Sequence, residues 1–237
     1  MEVKNSKGLA KTGGVRILMY GSSSASKTYQ AIHTGKTIVI SSEKADLTLN
    51  EYDVDILHIT SLSELKSAYK FVEKNVDKYD TVFIDSLTDI GEQIVTELKD
   101  SGNYTASDTF KMWADFTDLM VKISKSFRDL QGINVVLIAL EESVKNGFDE
   151  KIMPQIPAKK AQKKLISLYD IVIRLCVNEN GDREFICHSN VESEARDRSG
   201  NLERIEPCVF SKKQNINAGL GKIITKALKG DDWSSSK

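Results

Sequence analysis

The sequence predicts one α/β domain whose mostly parallel central sheet is covered by helices, with an antiparallel extension toward the C-terminal end. Three observations predict it. From residue 15 to residue 140, short β-branched runs alternate with stretches of helical period, as parallel strands joined by crossover helices do. A loop of small residues, Gly21-Ser-Ser-Ser-Ala-Ser-Lys-Thr28, stands between the first apolar run and the first helical stretch. After residue 142 the alternation stops, and two β-rich runs flank Asn178-Glu-Asn-Gly-Asp182, a hairpin signal.

Composition sets outer bounds. With 237 residues, 40% hydrophobic and 28% charged, the chain has room for one large soluble domain. A net charge of −1 gives no global attraction to nucleic acid, so any such binding must come from a local basic face. No apolar run approaches the length of a membrane span, and the opening MEVKNSKGLAKTGG lacks the apolar core of a secretion signal, which points to the cytoplasm and to no membrane partner. Cys176, Cys187 and Cys208 are odd in number and widely spaced, and read as reduced packing residues.

In order along the chain, residues 1–14 are polar and glycine-rich and read as a flexible lead-in to a domain spanning 15–228. Residues 15–20 form a buried strand, and a helical stretch starts near Lys27. Residues 36–41 and 53–60 read as strands, and residues 61–76 as an amphipathic helix capped by Ser61 or Ser63. Residues 79–85 form a strand ending in Asp85, and Ser86 opens a helix to about Lys99. Residues 108–130 have helical period through Phe110, Trp113, Phe116, Met120 and Phe127, an aromatic stripe that reads as core. A strand over 133–140 ends in Glu141 and Glu142. Residues 143–165 read as a polar connection, residues 171–177 and 183–188 as a hairpin, and residues 203–210 as a further strand. Residues 229–237 read as a disordered tail. His33 and His58 have no metal-like partners nearby in sequence and read as packing or surface residues.

The chemistry begins at the small-residue loop. Strand, small-residue turn and helix is the order a phosphate-binding loop requires. The backbone N–H groups of Gly21, Ser22, Ser23, Ser24, Ala25 and Ser26 and the helix N-terminus then face the phosphates, Lys27 reaches the β and γ oxygens, and the Thr28 hydroxyl holds Mg²⁺. The pattern G-x-x-x-x-G-K-[ST] departs at its second glycine, which is Ser26 here and puts a Cβ where the backbone approaches phosphate closely. The plainer reading is a strand-to-helix turn with no ligand. Asp85, after the strand run Thr81-Val-Phe-Ile84, stands where a Walker B acid holds Mg²⁺, its plainer role being to cap the following helix. Hydrolysis also needs a group that orients the attacking water. Glu43, just past the second strand, is the first choice, and Glu141 is placed to sense the γ-phosphate; each has a plainer reading as a solvated loop acid. Arg196 and Arg198, spaced i, i+2 on an extended segment, project from one face and suit a phosphate, or else belong to a charged surface hairpin.

The loop after ILMYG, the acid at Glu43, YDTVFIDSLTD and EARDRSG beyond a hairpin together resemble the phage-encoded RecA-like P-loop ATPases often called phage nucleotide-binding proteins, some of which accompany single-strand annealing in recombination. The resemblance covers roughly residues 15–211. It implies a RecA-like fold, ATP and Mg²⁺ as cofactors, Glu43 as the catalytic glutamate, and Arg196 and Arg198 acting in trans across the interface of a homo-oligomer. ARDRSG is similar to a Lys-x-Arg-x-Gly motif, with Arg196 where that motif has Lys. The resemblance also implies single-stranded DNA bound by loops after the strands ending in Asp85 and Glu141. The second of these would carry Lys145, Lys159, Lys160, Lys163 and Lys164, a basic cluster that reads equally as the solvated face of an amphipathic helix. A phage or host single-strand-binding protein is a further expected partner, and the host cytoplasm the expected location.

Two other functions compete. Ser26 motivates a nucleotide-binding assembly or regulatory module with little hydrolysis. A small-molecule kinase is disfavoured, because no lid or acceptor pocket is evident.

Overall fold

The computed structural model of the chain describes residues 13–43, 46–147 and 149–228. The expected lead-in, apart from residues 13 and 14, and the expected tail lie outside them. The sheet has ten strands: β1 (Arg16–Gly21), β2 (Thr37–Ser41), β3 (Asp55–His58), β4 (Thr81–Asp85), β5 (Asn134–Asn146), β6 (Asp149–Pro154), β7 (Ile171–Val177), β8 (Arg183–Ile186), β9 (Arg196–Asp197) and β10 (Ile205–Pro207). Its order is β10-β8-β7-β1-β5-β4-β2-β3, with β6 paired to β5 and β9 to β7. The run from β3 to β7 is parallel. The antiparallel extension consists of β8, β9 and β10, and β6 pairs with β5 in the same sense.

Every residue of β1, β2 and β4 is buried, so these strands read as continuous apolar runs, as both-face coverage demands. Their side chains alternate between two cores. Ile17, Met19, Val39, Phe83 and Val136 face one side, packed against a short 3-10 helix (Thr28–His33), α1 (Asp46–Leu49) and α6 (Gly219–Ala227). Leu18, Tyr20, Ile38, Ile84 and Leu137 face the other, under α2 (Leu62–Lys74), α3 (Leu87–Asp100), α4 (Thr109–Arg128) and α5 (Lys159–Leu168). The expected serine caps are in place: Ser61 Oγ accepts from the Glu64 N–H at 3.2 Å and Ser86 Oγ from the Asp89 N–H at 3.3 Å. Arg16, the one charge inside β1, donates to the carbonyl of Arg128, the last residue of α4, and to those of Leu130 and Ile133 in the turn that leads from α4 into β5.

Several expectations change. Residues 143–165 are not a loop: β5 runs six residues past Leu140 and pairs with β6 as a two-stranded ribbon, and α5 follows. The helix after the small-residue loop is a 3-10 helix of only six residues. In the aromatic stripe, Phe116, Met120 and Phe127 are fully buried, but Phe110 in the first turn of α4 is 93% exposed, because α4 begins before it reaches the sheet. Helix α6 was not expected, since Gly219 and Gly221 weaken helical propensity. A Cβ on Gly221 would lie 2.1 Å from the His33 carbonyl oxygen, so the glycine permits the close approach that buries Leu220, Ile223 and Ile224. No helix among the described residues is long and apolar enough to cross a membrane.

Replacing Phe116 by Ala leaves a void in the core under α4 and should cost about 3–5 kcal/mol in urea unfolding, whereas Phe110→Ala should stay within about 0.5 kcal/mol of the parent.

Candidate functional site

Parallel pairing brings the C-terminal ends of β1, β2, β4 and β5 to one edge. In register, Gly21 lies beside Leu140 and Ser41 beside Asp85. The loop leaves β1 at Gly21, where a Cβ would stand 2.2 Å from the carbonyl oxygen of Leu175 in β7, so no larger residue fits. Ser22 is extended, Ser23–Ala25 make one 3-10 turn, and Ser26 adopts φ 66°, ψ 42°, the left-handed region. The pattern's glycine is thus explained: the loop needs a left-handed residue there, and serine takes it at a cost of roughly 1–2 kcal/mol. The Ser26 hydroxyl accepts from Arg183 Nη2 at 3.2 Å.

Lys27 is buried, its ammonium donating to the carbonyls of Gly21 at 2.9 Å and Ser22 at 2.7 Å. Burial lowers its pKa, and Asp85, Glu43 and Glu141 oppose that shift. Thr28 Oγ1 donates to Asp85 Oδ2 at 2.5 Å. Asp85 is also buried, and desolvation pushes its carboxyl up to about 6. The Thr28 hydrogen bond and Lys27 pull the other way, while Glu43 and Asp89 add to the rise. The Ser42 N–H donates to the Asp85 carbonyl at 2.7 Å, and the Ser86 N–H to Ser42 Oγ at 3.1 Å. This lacing carries exposed Glu43 beside Asp85, where its carboxylate accepts from Ser86 Oγ. The Asp85–Ser86 peptide bond is cis. Asp85 does not cap α3; Ser86 does.

These groups line one cleft of about 350 Å³, bounded by Ser23, Ser24, Ser26 and Thr28 on one side and by Glu43 and Asp85 on the other. Its size falls in the range of small-molecule sites, about 300–1,000 Å³. Mg²⁺ fits the donor set: Thr28 Oγ1 and Asp85 are hard oxygen ligands, and the unfavourable ionisation of Asp85 beside Glu43 is what a dication relieves. No group of three or more His, Cys, Asp or Glu among the described residues could hold a metal ion. Lys27 is held by two loop carbonyls and, among the described residues, forms no ion pair with a carboxylate, as suits a phosphate ligand. A larger cavity, of about 640 Å³, opens between the β5–β6 ribbon, α3 and α5, but it mixes Glu92, Glu142 and Glu150 with Lys145 and Lys159 and converges on no one ligand group.

Other expected residues stand elsewhere. Glu141 pairs with Arg174 Nε at 2.8 Å, with Arg174 Nη1 also on Ser193 Oγ at 3.1 Å; its neighbour Leu140, and not Glu141, lines the cleft. Arg196 lies opposite Val172, itself level with Leu18, so it sits about 10 Å down the strands from Gly21. Its guanidinium donates to the carbonyls of Ile166 at 2.5 Å and Tyr169 at 2.6 Å, and Arg198 to that of Ser167 at 3.2 Å, so in their own subunit both close the C-terminal turn of α5. Lys145 faces Glu150 across the ribbon. Lys159, Lys160, Lys163 and Lys164 share the exposed face of α5, whose Ala161, Leu165 and Ile166 are buried. Tyr29, Thr48 and Ser86 also line the cleft without having been expected there. Arg183 reaches Ser26 of the loop from a hairpin 157 residues away, for which no local pattern exists.

A strand–loop–helix unit with Lys27 and Thr28, joined by an acid at the end of a second parallel strand, defines a P-loop NTPase with a nucleotide-binding site. A family model described as an AAA domain matches residues 13–199, and the chain belongs to that family of P-loop ATPase-like proteins, which generally use ATP and Mg²⁺. No curated protein matches the chain.

The raised Asp85 pKa has a stability consequence. The folded state keeps the proton that the unfolded state loses near pH 3.8, so stability falls as pH rises from about 4 to about 6 and the loss is complete above. Urea unfolding in EDTA should therefore show Asp85→Asn gaining on the parent across that window and holding a constant lead at higher pH.

Proposed function

We propose that the chain is an Mg²⁺-dependent RecA-like ATPase that acts as an oligomer on single-stranded DNA in phage recombination or replication. The observation that carries the proposal is the convergence of Lys27, Thr28, Asp85 and Glu43 on one cleft. In this reading Lys27 exchanges the carbonyls of Gly21 and Ser22 for β and γ oxygens, and the loop N–H groups cradle the phosphate chain. Bound Mg²⁺ supplies charge neutralisation on the transferring phosphoryl group. Thr28 and Asp85 hold that ion, and Glu43, oriented by the Ser86 hydroxyl, positions and deprotonates the attacking water. Glu43 suits the part because it is exposed at the mouth of the cleft while Asp85 is buried at its floor.

The trans role of Arg198 is supported by its half-exposed side chain, held among the described residues by a 3.6 Å pair with Asp170 and by the Ser167 carbonyl. Arg196 is more tightly engaged and contributes mainly by fixing the segment. Support for DNA binding comes from α5: its four exposed lysines form one face, and among the described residues only Lys164 forms an ion pair, with Asp118 at 3.7 Å.

A second reading is favoured by one observation, the serine at the left-handed position of the loop. It makes the chain a nucleotide-binding assembly or regulatory module with little turnover.

Steady-state hydrolysis with and without single-stranded DNA separates the two. Glu43→Gln should keep MgATP affinity within about threefold and lower turnover at least about 10²-fold, and Lys27→Ala should abolish binding. Binding without hydrolysis in the parent would select the second reading. Replacing Lys159, Lys160, Lys163 and Lys164 together by Ala should weaken single-strand binding and reduce the slope of log K against log salt by up to about 3; an unchanged slope removes α5 from the DNA interface.

A further inference from the structure

Ser26 stands in a conformation that the loop requires and that serine disfavours, and its hydroxyl has one polar side-chain partner from a distant segment, Arg183 Nη2 at 3.2 Å. The guanidinium is held in place. It lies 4.7 Å over the Phe210 ring, and Phe210 packs on Tyr29 at 5.2 Å. Tyr29 is anchored in turn by its hydroxyl, 2.9 Å from that of Tyr52 and 3.2 Å from the Ser211 carbonyl. The Arg183 backbone is pinned by pairing with Val177 and by the Cys208 N–H, which donates to its carbonyl at 2.9 Å. No acid among the described residues forms an ion pair with Arg183, and its Nε is buried without a partner. A side chain that leaves one donor unsatisfied while reaching the loop is not placed there by local hydrogen bonding.

The same hairpin thus holds the loop at both ends, touching Gly21 through the Leu175 carbonyl and Ser26 through Arg183. We infer that Arg183 is a positioning residue of the phosphate loop, whose hydrogen bond keeps Ser26 in the left-handed conformation that glycine adopts without help. The inference rests on the nucleotide reading of the loop. It makes Ser26 and Arg183 a coupled pair: the arginine matters only while residue 26 carries a side chain.

The test is a cycle of four full-length proteins: the parent, Ser26→Gly, Arg183→Ala and the double variant. Two measurements are made on each, hydrogen exchange of segment 21–28 without ligand and equilibrium binding of a fluorescent ATP analogue with Mg²⁺. Arg183→Ala should speed exchange of the segment and weaken nucleotide binding about tenfold in the serine background. In the S26G background the same substitution should change each by less than twofold. Arg183→Met, which keeps an apolar stem over Phe210 and removes the donors, should repeat the pattern if the alanine variant folds poorly. Equal losses in the two backgrounds, or no loss in the serine background, would overturn the inference. Absence of nucleotide binding by the parent would sink the nucleotide reading alone, because the exchange measurements still decide the role of Arg183.

Discussion

Thr28 and Asp85 meet across a strand to which neither belongs. Because β5 lies between β1 and β4, the loop has to cross β5 at Leu140 before its threonine can come within 2.5 Å of the carboxylate. A hydrogen bond to a charged group is worth roughly 1.5–3 kcal/mol, and more is at stake when the charge is buried. Here the hydrogen bond works against a desolvation strong enough to move the carboxyl to about 6. The close approach of Gly21 to β7, the single 3-10 turn and the left-handed Ser26 all serve to bring the loop back to that point.

Around this contact, charge is arranged so that no group is satisfied by its permanent neighbours alone. Lys27 rests on carbonyls, Asp85 is driven toward its neutral form, and Glu43 has a serine as its partner while facing solvent. Such a set is poorly balanced in itself and well balanced once an anion and a dication enter together. Two acids next to the cleft and on the neighbouring ribbon side are instead paired with cations: Glu141 with Arg174, and Glu194 with Lys151 at 2.6 Å. The contrast separates the cleft from the ribbon next to it.

What could be read in advance was whatever the chain encodes locally. The strands at β1, β2 and β4 carry apolar runs through their middles, and Lys27, Thr28 and Asp85 follow or close such runs, so the core of the site was legible from short stretches. Glu43 was legible because parallel strand ends converge. Tertiary contacts decided the rest. Phe110 has the period of a core residue but precedes the point where α4 meets the sheet. The polar residues beyond Leu140 form a ribbon because β6 supplies the apolar side, Ile152 and Met153 packing on the core while Ser143, Lys145 and Glu150 stay exposed. Helix α6 carries glycines that look like breakers and serve as contact points, and Arg183 gains its place from a hairpin and a ring. Arg196 and Arg198 were recognisable as a pair, but their engagement with the carbonyls ending α5 was not.

The junction of α6 with the segment behind the loop has a temporal side. The Leu220 N–H donates to Gln30 Oε1 at 3.0 Å inside the core, joining residues 190 positions apart. A ribosome adding about 5–20 residues per second takes about 10–40 s to make the second after the first. During that interval the nascent chain owns its lysine, threonine and aspartate but not the layer that seats the helix behind them, so the 3-10 helix that follows the loop gains its packing late in synthesis, with the last element described.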